Sequence, residues 1–215
     1  IAVLVTGVDS STYPPAAGKD RELAREYQLE GKFVIGYIGT HGMAHALDKV
    51  LEAARLLEQE RDIRFLFAGG GAEREKLEKL ATQSKLANVV MMPRQPKDRM
   101  PAVWSLCDIS LISLRDTPLF TKVIPSKIFE SMGMALPMII ACPSGEATGI
   151  IASSGSGLVV KSEDPKALAE GVLSLYRDRG RLAELSRASL ASASDYDRSA
   201  QAQLMLKSLA GVAVA

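Results

Sequence analysis

Val123-Ile124-Pro125-Ser126-Lys127-Ile128-Phe129-Glu130-Ser131-Met132-Gly133-Met134-Ala135-Leu136-Pro137, followed at once by Met138-Ile139-Ile140-Ala141, reads as a loop, a short helix and an apolar strand. The Pro125-Ser126 pair marks the helix start, and Lys127 and Glu130 fall in its first turn. A helix start leaves four amide N–H groups without intrahelical partners and carries the positive end of the helix dipole, so it attracts anions such as phosphate. Lys127 adds a full positive charge there, and Glu130 is able to accept hydrogen bonds from two vicinal hydroxyls such as those of a ribose. A nucleoside diphosphate carries both groups. The same residues also fit a plain cap, with Ser126 as N-cap and Glu130 near the dipole, so the neighbouring sequence has to decide.

Outward from that stretch, short apolar runs alternate with longer amphipathic ones. Strands are expected at 2–5, 33–38, 63–68, 88–92, 109–114, 137–141 and 157–160, each too short for a helix. Between them, residues 45–58 place Leu47, Val50, Leu51, Ala54 and Leu57 on one helical stripe, and similar stripes occupy 73–82, 98–106, 165–176 and 181–190. Strands apolar on both faces and separated by helices predict a parallel sheet covered on both sides with right-handed crossovers. The expected fold is α/β, a doubly wound parallel sheet of Rossmann-like type.

Composition bounds the function. The chain has 215 residues, 47% of them hydrophobic and 24% charged, with a net charge of +1, enough to bury one good core. That balance, without a basic tract or aromatic stacking pattern, predicts no nucleic-acid partner. No apolar run approaches the ~20 residues of a bilayer span, and residues 1–10 lack a secretory pattern, so the expected location is cytoplasmic. Cys107 and Cys142 lie in apolar contexts without His or Cys at metal-ligand spacing and read as buried thiols.

In such a sheet ligands sit beyond the carboxyl ends of the strands, so the loops there should carry the chemistry. Gly39-Thr40-His41-Gly42-Met43-Ala44-His45 follows one strand and Gly69-Gly70-Gly71 another, while the loop after 109–114 feeds Pro125-Ser126-Lys127. The triple glycine fits close approach to a ligand and fits a plain turn equally well. Neither loop matches the dinucleotide or P-loop fingerprints.

These residues resemble a known family. The glycine-rich loop at Gly39, Ala68-Gly69-Gly70-Gly71 before a helix, Asn88-Val89-Val90, Cys107-Asp108 before a strand and the Pro-Ser-Lys-x-x-Glu block together look like the C-terminal, donor-binding half of a GT-B glycosyltransferase of family 4. The likeness runs from Gly7-Val8-Asp9 to Pro165 and beyond. Within the family, the pattern is similar to the bacterial surface-polysaccharide branch typified by the fucosamine transferase of O-antigen assembly. The resemblance implies retaining transfer of a sugar from a UDP- or GDP-linked donor, with no cofactor and no metal. It assigns Glu130 to the ribose hydroxyls, Ser126, Lys127 and Ile128 to the diphosphate, Arg94 and Gln95 to the base, and Gly39 to a loop closing over the phosphates. Lys127 and Glu130 are the expected catalytic pair. The expected substrate-binding set is Gly39, Thr40, His41, His45, Gly69, Gly70, Arg94, Gln95, Lys122, Pro125, Ser126, Ile128, Gly145 and Glu146.

Departures from the family pattern matter as much. Lys122 stands where the first glutamate of the family's E-x7-E pair contacts the donor sugar. Thr40 and His45 replace the family's loop arginine and lysine, and His41 and His45 are the chain's two histidines, where imidazoles could donate to phosphate. Ala46 and Ala135 occupy positions that are often glycine, and a left-handed conformation at Ala135 costs roughly 1 kcal/mol.

The resemblance divides the chain into a linker and first strand at 1–18, a nucleotide-sugar-binding domain at 19–194 and a C-terminal helix at 195–215 that returns to an absent N-terminal domain. That domain would bring a glycan or lipid-linked acceptor, and the intact enzyme would touch the inner membrane face peripherally. The isolated half is expected to be inactive, and its oligomeric state is not implied. Two other classes stay open: a stand-alone nucleotide-binding or interaction module, and a GT-B-fold sugar-nucleotide epimerase.

Overall fold

Strand assembly follows from residues that are apolar on both faces. In a computed structural model, which describes residues 7–9 and 11–213, six strands form one parallel sheet: β1 (Phe33–Thr40), β2 (Ile63–Gly70), β3 (Val89–Met92), β4 (Ile109–Ser113), β5 (Met138–Ala141) and β6 (Gly157–Val160). Their order is β3-β2-β1-β4-β5-β6. The chain reverses direction across the sheet between β1 and β4, which makes the carboxyl end of that pair the natural ligand crevice. The expected strand at 2–5 lies outside the described residues.

Alternation along β1 feeds both faces. Phe33, Ile35 and Tyr37 point to a core shared with Phe65, Phe67, Leu111 and Ile139, covered by α2 (Leu47–Leu56), α3 (Arg74–Gln83), α7 (Pro165–Arg177) and Leu185 of α8 (Arg179–Ala193). Val34 and Ile38 point the other way, against α1 (Arg21–Glu26) and α4 (Met100–Ser105), where Trp104 is fully buried. Further along that face, Ile112 and Ile140 pack on Ile128, Phe129 and Met132 of α5 (Lys127–Gly133) and on Ile151 of α6 (Glu146–Ser154). Burying each such large side chain contributes roughly 1.5–3 kcal/mol.

Two helices fall outside the expected set. The first, α1, is capped by Asp20, whose carboxylate accepts from the Leu23 amide at 2.9 Å. The second, α6, opens at Gly145 and closes at left-handed Gly155. Both β1 and β2 run two residues past their expected ends, through Gly39-Thr40 and Gly69-Gly70. The last helix, α9 (Arg198–Ala213), follows a single 3-10 turn at Ser194–Tyr196. Its start is tied to the amino-terminal segment by a bridge in which Val8 N–H donates to the Tyr196 carbonyl and Arg198 N–H to the Val8 carbonyl, both at 2.9 Å.

Candidate functional site

The ends of β1 and β2 lie unusually close. Gly39 and Gly69 face each other in the sheet register at φ +142° and +145°. A side chain on Gly69 would overlap the Gly39 carbonyl, and one on Gly39 would stand 2.9 Å from the Lys127 ammonium. Only glycine combines that backbone angle with that approach. Beyond them the chain turns back: the His41 amide donates to the Gly70 carbonyl at 2.8 Å and the Glu73 amide to the His41 carbonyl at 2.9 Å. A 3-10 turn at Met43–His45 and left-handed Ala46 (φ 47°, ψ 40°) then lead into α2 without a side-chain cap.

Lys127, in the first turn of α5, projects toward this loop. Its ammonium is buried without a hydrogen-bond partner and lies 3.7 Å from the centroid of the Tyr37 ring. Burial drives its pKa down to about 7, partly opposed by Glu130. Glu130, one turn on, is half-buried, and burial raises its pKa against the opposing pull of Lys127 and Arg198. Between these residues and the β1 and β2 loops lies a cleft of about 870 Å³. That volume is of small-molecule size.

The two histidines differ. His45 reaches the cleft and places Nδ1 3.3 Å from the Ser113 carbonyl. A carbonyl only accepts, so that nitrogen carries the proton and Nε2 offers a lone pair. Burial and Lys127 lower the His45 pKa. His41 is fully buried, set beside the rings of Tyr37 and Phe67, with both ring nitrogens unpartnered. Burial, reinforced by Arg74, Lys127 and His45, lowers its pKa to about 4, so it is neutral at physiological pH.

Of the sequence-predicted residues, the structure gathers Gly39, Thr40, His45, Gly69, Gly70, Arg94, Gln95, Pro125, Ser126, Lys127 and Glu130 around the one cleft. His41 and Ile128 are not on its wall: His41 lies behind the loop, and Ile128 packs into the core with Phe129 and Met132. Lys122, Gly145 and Glu146 line a separate groove between the 3-10 turn at Pro118–Lys122 and α6. Ser126 begins α5 but makes no side-chain cap, leaving its hydroxyl free for a ligand.

Other residues at the site went unread. Tyr13, Lys97 and Met100 line the cleft. Arg74 donates from Nη1 to the carbonyls of Gly69 at 2.6 Å and Met92 at 2.8 Å, binding the β2 and β3 exits together. Arg115, directly past the strand predicted at 109–114, binds the Met43 carbonyl, Asp48 and Glu163. Its place in a loop already marked for chemistry was the one available signal. Among the described residues no three His, Cys, Asp or Glu side chains gather to hold a metal ion, and no helix is long and apolar enough to cross a membrane. Cys107 and Cys142 are free, buried thiols, each with its pKa pushed up to about 12 by burial.

Residues 19–191 match the family model described as glycosyl transferases group 1. WcaI of Escherichia coli (strain K12), named for colanic acid biosynthesis, is 29% identical over 145 residues, covering 66% of this chain and 35% of that protein. The crystal structure of Anabaena Alr3699/HepE in complex with UDP superposes with a TM-score of 0.85 at 17% identity, over 98% of this chain and 57% of that one. The C-terminal domain of a glycosyl transferase group 1 protein, LpcC from Francisella tularensis, gives a TM-score of 0.72 at 18% identity, over 89% of this chain and 99% of that domain. At such identities the two structures speak to the fold. The chain spans 35–47% of the length of the curated relatives it matches.

Proposed function

Since this chain belongs to the glycosyl transferases group 1 family, we propose that it is the donor-binding half of a retaining glycosyltransferase of family 4. The donor is a UDP- or GDP-linked sugar, and the acceptor is a glycan or lipid-linked intermediate of cell-surface polysaccharide synthesis. The observation that carries this reading is the Lys127 ammonium, buried without a hydrogen-bond partner at the start of α5 and bordering the cleft. A buried cation without a partner is costly, and an incoming diphosphate supplies the missing charge.

In this reading the diphosphate lies against Lys127 and the start of α5, beside His45, whose Nε2 joins as a donor only when protonated, with the ribose hydroxyls on Glu130 and the base toward Arg94 and Gln95. As the glycosidic bond breaks, negative charge grows on the departing diphosphate, and these fixed groups stabilise it without reorganising. Support also comes from outside the chain. The Anabaena protein was crystallised with UDP, with UDP and glucose, and with UDP-glucose, and WcaI is named for colanic acid biosynthesis. An N-terminal domain supplies the acceptor site, α9 returns toward it, and the assembled enzyme works at the inner face of the membrane.

Calorimetry with UDP and with GDP tests the donor site. Wild-type protein binds one of them at millimolar concentration or better, and Glu130→Ala weakens that binding roughly 10- to 100-fold through lost charge-assisted hydrogen bonds. Absence of binding by wild type, or equal binding by the variant, refutes the assignment. The anomeric configuration of the product made by the full-length enzyme, read by NMR, tests retention.

A further inference from the structure

The loop between β1 and α2 is tied to β2 and α3 at His41, and beyond that point it has few ties of its own. Its helix lacks a side-chain cap and Ala46 is left-handed, so residues after β4 hold it in place. The Ser113 carbonyl faces His45 Nδ1 at 3.3 Å, the Arg115 amide donates to the Ala44 carbonyl at 2.9 Å, and Arg115 Nε donates to the Met43 carbonyl at 2.7 Å. The remaining arms of the guanidinium are also engaged. Nη2 meets Asp48 of α2 at 3.1 Å, and Nη1 meets Glu163 at 2.8 Å.

Glu163 is itself held under strain. It adopts φ 54°, a left-handed backbone that side chains other than glycine rarely take. Its second carboxylate oxygen accepts from the Asp116 amide at 2.8 Å, and the neighbouring Ser162 hydroxyl donates to the Leu114 carbonyl at 2.6 Å. Loops following β1, β4 and β6 thus converge on one arginine. These ion pairs are about a third exposed, and exposed pairs contribute little to stability. Strain maintained for so small a return points to placement of the loop. Arg115, Asp48 and Glu163 do not line the cleft, whereas Thr40 and His45 do.

We propose that Arg115, locked by Glu163, is a positioning residue that sets the later part of the β1–α2 loop, and through it His45, at the height a donor diphosphate requires. The inference rests on the donor-site reading above. Lysine keeps the charge but lacks the planar fork that reaches three acceptors at once. Calorimetric titration with UDP and GDP therefore separates placement from simple attraction. Arg115→Lys and Arg115→Met both weaken binding, by roughly five- to tenfold, and Glu163→Gln weakens it by a smaller factor in the same direction. In the double variant Arg115→Met/His45→Ala the losses do not multiply, because both changes release the same loop. Wild-type affinity in Arg115→Lys, or fully multiplicative losses in the double variant, overturns the inference while leaving the donor site standing. Failure of wild type to bind either nucleotide overturns the donor site and this inference with it.

Discussion

Lys127 and Tyr37 stand in place of an ion pair: the ammonium rests 3.7 Å from the ring centroid and makes no hydrogen bond. An aromatic face solvates a cation weakly beside a carboxylate, so Lys127 is left with a pKa of about 7, pulled down by burial. At pH 8 it is therefore about nine-tenths neutral, and a diphosphate bound as proposed would draw it back to the charged form.

Nucleoside diphosphate binding at pH 8 should accordingly take up close to one proton, and affinity should fall by up to about tenfold per pH unit above 7. Titrations in two buffers of different ionisation enthalpy read the proton count directly. Lys127→Met should bind weakly and lose this uptake. Binding by wild type without proton uptake at pH 8 would rule out the assigned state of Lys127.

His41 gives the fold a dependence on acid. Its folded pKa is about 4, against an ordinary 6.5. The unfolded chain thus binds the proton first as pH falls, so this contribution to stability is present above pH 6.5 and lost as pH drops toward and through 4. The loss amounts to roughly 2–3 kcal/mol between pH 7 and pH 4. Urea denaturation at those two pH values should show a smaller drop for His41→Met than for wild type. An equal drop in both proteins would remove His41 as the cause.

The sheet was legible because its strands are covered on both faces and read as short, mostly apolar runs, interrupted only by Arg64 at 63–68 and by Ser110 and Ser113 at 109–114. The helix α6 was not, since Gly149 and its serines and threonine interrupt any apolar stripe. Within the site, the residues that alter a helix start or a strand exit could be read locally: Gly39, Gly69, Lys127 and Glu130. His41 misled because its polarity suggests a ligand contact, while the rings that bury it come from β1 and β2. Ile128 faces the core because Phe129 and Met132 share its side of α5, a helical stripe visible in the sequence once a ligand role is set aside. The Arg115–Glu163 contact joins residues 48 apart, and no local pattern signals a pair at that distance.

Two alanines hold left-handed backbone, and their surroundings separate them. Ala135 has φ 55° and is half-buried, with its carbonyl accepting from the Ser186 hydroxyl at 2.7 Å. Replacing it by glycine relieves roughly 1–2 kcal/mol of backbone strain and costs about 0.4–1 kcal/mol in unfolded-chain entropy. Ala135→Gly should therefore stabilise the fold by about 0.5–1 kcal/mol. Ala46, at φ 47°, is 1% exposed, and losing its methyl costs a further ~0.8 kcal/mol. Ala46→Gly should be close to neutral. Equal stabilisation by both substitutions, measured by thermal or urea unfolding, would contradict the burial argument.

Lys122 supplies a test of where the nucleotide subsite ends. It is exposed and shares a groove with Gly145 and Glu146, apart from the cleft that holds Lys127 and Glu130. The carbonyl of its neighbour Thr121 presses against Gly145, where any side chain would overlap it, so the groove is built from packed backbone. A charge so placed is screened by solvent from the diphosphate position. Lys122→Ala and Lys122→Glu should leave UDP and GDP affinity within about twofold of wild type at physiological ionic strength, where Glu130→Ala weakens it at least about tenfold. If position 122 meets the donor sugar, as the resemblance implies, Lys122→Glu should change binding of nucleotide-sugars while the free diphosphates bind as before. A loss of UDP or GDP affinity in Lys122→Ala comparable to that of Glu130→Ala would place Lys122 in the diphosphate site and require the 3-10 turn at Pro118–Lys122 to fold over the cleft when the donor binds.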